Sequence, residues 1–290
     1  ASHSLTLRSG PKTVEIETWM NNTCEDHRLR LCVPTGLTQK KVWAGGAFDV
    51  LARLTEWPHD ADWEQPQVPT QHFSQFVAMQ DRSGGIAALA PGSNEYETAP
   101  TDGADGTDIR ITMLRATGWL SRDGFASRRN RAGPCYPAPG AQCKGQTSMR
   151  WGLLPFEGRW PEAGVHEAAE AFAAQVSLLP GLPKPQLNGY FDEPLKKGIR
   201  GRSSAPVRFV GDGPRPLLSA CKPAEDGEGT VVRIHNPLKS DWTGRIESDL
   251  PLFECCECDM MENAGKAVDV NDGGWDVTIG SKQILTFRFK

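Results

Sequence analysis

Apolar and polar residues alternate along this chain in short runs. Ser4-Leu-Thr-Leu-Arg and Thr13-Val-Glu-Ile-Glu-Thr-Trp each place an apolar side chain at every second position, and Arg28-Leu-Arg-Leu-Cys-Val follows in the same rhythm. A period of two sends successive side chains to opposite faces, so each run predicts a half-buried antiparallel strand. Similar runs recur at Phe76-Val-Ala-Met-Gln, Gly85-Ile-Ala-Ala-Leu, Asp108-Ile-Arg-Ile-Thr-Met-Leu-Arg, Arg150-Trp-Gly-Leu-Leu, Val207-Arg-Phe-Val, Thr230-Val-Val-Arg-Ile-His and Gln283-Ile-Leu-Thr-Phe-Arg-Phe. Many short strands separated by turn residues predict β-sandwich architecture. Trp19 and Trp151 fall inside such runs and read as core aromatics.

One segment departs from the period. Pro161 to Gln175 is Ala-rich and opens on Pro, a residue suited to the first helical position, so a single short helix is expected there. Beyond it, Leu178 to Ser204 is thick with Pro, Gly and basic residues, the composition of a linker or long loop. This suggests a large β-sandwich domain over 1–204, with its helix near 161–175, and a smaller C-terminal β-sandwich segment over 205–290. Phe48 to Phe73, with Trp57, Pro58, Trp63, Pro66 and Pro69, reads as an ordered excursion over the surface.

Composition narrows the classes of function. A chain of 290 residues with 38% hydrophobic and 23% charged residues can bury a sizeable core. A net charge of -4 with both signs interspersed offers no field for gripping phosphates, which argues against nucleic acid and anionic membrane as partners. No long apolar run and no basic leader followed by an apolar stretch occurs, so the chain is read as soluble, with the cytoplasm favoured. The start at Ala1 rather than Met reads as a processing boundary.

Ordered blocks carry a more specific signal. Asp26-His-Arg-Leu-Arg-Leu, Phe48-Asp-Val-Leu-Ala-Arg, Phe76-Val-Ala-Met-Gln-Asp, and Gly85-Ile-Ala-Ala-Leu with Asn94-Glu-Tyr-Glu succeed one another. They continue through Leu114-Arg-Ala-Thr-Gly-Trp-Leu-Ser-Arg-Asp, Arg150-Trp-Gly-Leu-Leu-Pro-Phe-Glu-Gly-Arg-Trp and Ser219-Ala-Cys-Lys-Pro-Ala-Glu-Asp-Gly-Glu-Gly-Thr-Val-Val-Arg-Ile-His-Asn-Pro. In this order they resemble the C-terminal β region of glycoside hydrolase family 38 α-mannosidases. The resemblance implies a mainly β fold, an antiparallel sandwich of the galactose-mutarotase-like supersandwich kind followed by a smaller sandwich.

It also implies an enzyme whose zinc and carboxylate nucleophile sit in a separate N-terminal domain. None of the six histidines is followed two residues later by Asp, as that domain's zinc motif requires. A retaining glycosidase needs two carboxyls about 5–5.5 Å apart, and no residue here matches the family's pair. The expectation is therefore an ancillary part with no catalytic residue, no metal and no cofactor of its own. Its expected partners are the catalytic domain of the same enzyme and mannose-containing carbohydrate. The other reading is a free-standing carbohydrate-binding sandwich.

Within the resemblance, a loop of the β region reaches the sugar site, and Trp119 to Gln146 is the candidate for that loop. Arg122, Asp123, Arg128, Arg131 and Gln142 supply planar polar groups that can bond paired hydroxyls. The alternative is that these groups fix the loop to the catalytic domain or face water. Cys135 and Cys143 in the same loop could form a disulfide or stay as thiols. Cys255 and Cys258 have C-x-x-C spacing, open to a metal reading, but no second such pair accompanies them and strand positions suit them better. Lys222-Pro-Ala-Glu-Asp-Gly-Glu-Gly lacks the alternating ligands of a calcium loop and reads as a hairpin turn. Trp57 and Trp63 are candidates either for exposed sugar contacts or for buried loop anchors.

Overall fold

The computed structural model describes residues 1–10, 12–56, 67–124, 133–174, 207–248 and 254–289. The chain divides into two compact units, Ala1–Ala173 and Ala174–Lys290. The boundary expected at 204/205 lies outside the described residues, as do Trp57, Trp63, Arg128 and Arg131.

The first unit holds β1 (Ser2–Leu7), β2 (Val14–Asn22), β3 (Arg28–Pro34), β4 (Lys41–Gly45), β5 (Val50–Leu54), β6 (Gln71–His72), β7 (Phe76–Gln80), β8 (Gly84–Leu89) and β9 (Glu95–Pro100). It continues with β10 (Thr107–Arg115), β11 (Trp119–Ser121), β12 (Tyr136–Pro137), β13 (Gly145–Glu157) and the helix α1 (Val165–Ala173). A seven-stranded sheet in the order β1-β2-β13-β8-β7-β4-β5 faces a four-stranded sheet β3-β10-β9-β6, while β11 and β12 pair separately. Every pairing is antiparallel. The core fills the gap between the sheets with Ile16, Val42, Val77, Met79, Ala88 and Trp151 from one and Val33, Tyr96, Ile109 and Ile111 from the other.

The phase of β2 corrects one reading. Ile16, Thr18 and Met20 point inward, so Trp19 faces out and is 42% exposed. Thr18 is tolerated inside because its hydroxyl accepts the Trp151 indole N–H at 3.0 Å. Trp151 is buried as expected.

Strand β7 is buried along its whole length because both of its faces are covered. Val77 and Met79 enter the sandwich core, whereas Phe76 and Gln80 lie under Trp160 and the approach to α1: the two rings stand 6.3 Å apart, and Gln80 accepts the Trp160 backbone N–H at 2.7 Å. A continuous apolar run is the pattern of such a strand. The helix buries Val165, Ala169 and Phe172, each worth about 1.5–3 kcal/mol when fully buried for residues of the Val and Phe kind. Gly152 admits it: a Cβ there would lie 2.8 Å from Thr13 Cγ2 and 3.2 Å from the Phe172 ring. The helix starts at Val165 rather than at Pro161. Gly164, at φ +67°, ends the preceding turn in the left-handed region and interrupts helical geometry. Gln175 lies outside the described residues.

The second unit holds β14 (Arg208–Val210), β15 (Leu217–Pro223), β16 (Thr230–His235), β17 (Trp242–Glu247), β18 (Cys255–Cys258), β19 (Ala264–Val268), β20 (Gly274–Ile279) and β21 (Ile284–Phe289). Sheets β14-β17-β20 and β15-β16-β21-β18-β19 sandwich Trp242, Ile246, Trp275 and Ile279 against Val232, Ile234, Leu285, Phe287 and Phe289. Thus a large antiparallel sandwich is followed by a smaller one. The acidic segment after Lys222 is the β15–β16 hairpin turn. Arg288 donates to both Asp226 carboxylate oxygens at 2.7 and 2.8 Å, and Glu262 accepts the Glu225 backbone N–H at 2.8 Å. No helix among the described residues is long and apolar enough to cross a membrane.

Candidate functional site

Four strand ends of the first unit converge on a surface cleft of about 580 Å³. Asp26 and Arg28 come from the entry to β3, Arg115 from the end of β10, Glu95 from β9, Trp119 from β11, and Arg122 from the loop beyond it. The topology makes this meeting necessary. Strand β10 runs antiparallel to β3 with Arg115 opposite Arg28, and a register shift between Thr112 and Leu114 turns the strand end just before the chain crosses to β11.

The wall of the cleft is a closed polar clamp. Gln142, at the end of the 3-10 turn Pro139–Gln142, accepts the Asp26 backbone N–H through Oε1 and donates through Nε2 to Asp26 Oδ1, both at 2.9 Å. The same carboxylate oxygen accepts the Gly118 N–H at 2.8 Å. Asn22 Nδ2 donates to the Gln142 carbonyl at 2.8 Å and to that of Cys143 at 3.0 Å. The amide of Gln142 and the Gly118 N–H hold the Asp26 carboxyl below the ordinary carboxylate range, with the nearby Arg122 charge adding to the effect. The clamp locks the return of the Trp119–Gln146 loop onto the β2–β3 connection.

Charges on the four-stranded face form a second network. Glu95 Oε1 accepts from Arg28 at 3.3 Å and from the Thr112 hydroxyl at 2.6 Å. Buried Glu97 takes the other terminal nitrogen of Arg28 at 3.1 Å and also pairs with Arg30. Both acids at this end of the sheet are therefore engaged by cations of the fold.

Of the loop residues expected to meet sugar, Arg122 lines the cleft, Asp123 is exposed beside it, and Gln142 is buried with its amide committed to Asp26. Arg115, His27 and Glu95 were not among the expected site residues, because only the β3–β10 and β9–β10 registers bring them to the loop. Trp119 presents a ring that is 40% exposed. A second depression, about 540 Å³, lies around Trp19, Asn21 and Gln146 and is lined by no charged side chain.

Cys135 and Cys143 are free thiols. In β18, Cys255 and Cys258 fill buried strand positions, and burial pushes their thiols up to about 12 and about 11. Among the described residues no three His, Cys, Asp or Glu side chains group to hold a metal ion.

Comparison with known proteins identifies relatives over both units. Residues 1–123 match the family model of the glycosyl hydrolases family 38 C-terminal domain, and residues 216–287 match that of the family 38 C-terminal beta sandwich domain. A putative mannosylglycerate hydrolase of Halalkalibacterium halodurans is 26% identical over 293 residues, covering 99% of this chain and 28% of the relative. Two solved structures from Enterococcus faecalis, one of a protein in glycosyl hydrolase family 38 and one of an alpha-mannosidase, each superpose with a TM-score of 0.68 at 24% identity. Both cover 99% of this chain, which spans only 29% and 28% of theirs.

Proposed function

We propose that this chain, which belongs to glycosyl hydrolase family 38 as its C-terminal β region, is the ancillary part of a retaining, zinc-dependent α-mannosidase and lends the Trp119–Arg122 cleft to its sugar site. The observation that carries the reading is that both matched family models are C-terminal ones, while the chain spans less than a third of each relative. Catalysis and zinc then belong to the remainder of the enzyme.

The geometry supports the division of labour. Asp26 and Glu95 cannot act as the acid and nucleophile of a glycosidase, since hydrogen bonds from Gln142, Gly118, Arg28 and Thr112 fix them as structural carboxylates. What the cleft offers is recognition: a half-exposed indole for the apolar face of a pyranose, and guanidinium groups for paired oxygens. A surface for the remainder of the enzyme exists at the sheet edge. Leu5 and Leu7 of β1 sit opposite Ile16 and Val14, on the face that is core elsewhere, yet are 68% and 74% exposed.

The isolated chain is expected to give no turnover of an aryl α-mannoside with zinc present. Release of the aryl alcohol above a zinc-free control would contradict the proposal.

A further inference from the structure

We infer that Cys256 and Cys258 of β18 are a reversible dithiol–disulfide pair, oxidised by a low-molecular-weight disulfide of the glutathione class. The pair lies in the second unit and is independent of the sugar cleft.

Two free thiols stand side by side there, with their sulfurs 3.7 Å apart. The strand itself makes the pair. Successive residues of a strand point to opposite faces, and Cys255 packs into the core with Phe287 and Phe289, so Cys256 and Cys258 share the other face. Their partners on β21 are Arg288 and Thr286. Two steps along a strand cover about 6.4–6.8 Å between Cα atoms, the long end of the span of about 4.4–6.8 Å that a disulfide bridges. A bond formed at that limit is strained, and strained disulfides are the ones that small thiols reopen. The ladder leaves room for the closure. Between Cys256 and Cys258 the register with β19 shifts, so that the step from Cys256 to Cys258 faces the longer step from Ala267 to Ala264.

The two sulfurs take different roles. Cys256 is half-buried and meets the oxidant, whereas Cys258 is buried, and burial followed by the hydrogen bond with Cys256 pushes its thiol up. The Cys256 thiolate attacks one sulfur of the small disulfide, forms a mixed disulfide and expels one small thiol. Cys258 then gives its proton to solvent, favoured by the nearby charge of Arg288, and attacks Cys256 Sγ, expelling the second small thiol. The protein gives up two electrons and two protons, and the small disulfide leaves as two thiols. Cys255, on the core side, takes no part.

The test is mass spectrometry of the reduced chain after incubation with oxidised glutathione and alkylation of the remaining thiols, with the oxidant raised until exposed Cys24 carries glutathione. The β18 peptide of the unsubstituted chain is expected to lose two hydrogens as a Cys256–Cys258 disulfide, with Cys255 alkylated, and reduced glutathione should restore both thiols. In Cys258→Ser, Cys256 should stop at the glutathione adduct; in Cys256→Ser, Cys258 should remain alkylatable. Both thiols of the pair still alkylated, an adduct that persists on Cys256 with Cys258 present, or a disulfide that reduced glutathione does not open would each overturn the inference. Far-ultraviolet circular dichroism checks that the serine variants keep their sheets, and the unsubstituted chain decides the matter by itself where one does not.

Discussion

Replacing Trp275 by alanine is expected to cost the second unit about 3–5 kcal/mol, the usual penalty for truncating a large aromatic in a core. Trp275 is fully buried in β20, with ring centroids 5.3 Å from Phe287 and 4.9 Å from Phe289. These three rings join the two sheets of the smaller sandwich, and alanine would leave a cavity that strands pinned by neighbouring ladders cannot close. Hydrogen exchange resolved by residue is the measurement: protection in β16, β17, β20 and β21 should collapse while β7 and β8 of the first unit keep theirs. Trp275→Phe should cost much less. Its Nε1 has no hydrogen-bond partner among the described residues, so phenylalanine gives up shape and no bond. Equal protection in Trp275→Ala and the unsubstituted chain would contradict this account of the core.

Glu97→Gln is expected to lower the stability of the first unit by about 2 kcal/mol, below the full cost of breaking a buried pair because its arginines are partly exposed. Glu97 sits 6% exposed on β9, pairs with Arg28 and Arg30, and has Arg110 as its cross-strand neighbour. Burial already lowers the affinity of Arg30 for its proton, and the charges of Arg28 and Arg110 add to that, so the neutral amide would leave three guanidinium groups crowded together. Thermal melts at rising ionic strength should show the loss shrinking as salt screens the repulsion. A loss independent of salt would mean packing, and not charge, is what Glu97 provides.

Alternation made the sandwich legible, and its limits are visible in particular strands. β2, β10, β16 and β21 stood out because one face of each is apolar. β17 and β19 contain Gly and polar positions that dilute the period, and they hold as strands through their neighbours in the ladder. The phase of β2 was legible too: Val14, Ile16 and Met20 set the inward face, which places Thr18 inside, where its hydroxyl satisfies the Trp151 indole, and turns Trp19 outward.

The candidate site was half legible. A long loop rich in Arg pointed to Trp119–Gln146, and Arg122 does line a cleft with Trp119. The amide of Gln142 looked equally suited to a sugar, yet it bonds Asp26, a residue far away in sequence. Arg115 and Arg28 lay in separate strands whose register brings them face to face, which no local pattern encodes.

The central claim is that the cleft beside Trp119 is where this chain meets the sugar. The direct measurement is kcat/KM for an aryl α-mannoside with this chain joined to the N-terminal part of its enzyme. Trp119→Ala should lower it about tenfold, the worth of one well-placed aromatic contact, while Trp19→Ala, at an indole as exposed but away from the cleft, should leave it unchanged. An unchanged kcat/KM in Trp119→Ala, or an equal fall in both variants, would contradict the account.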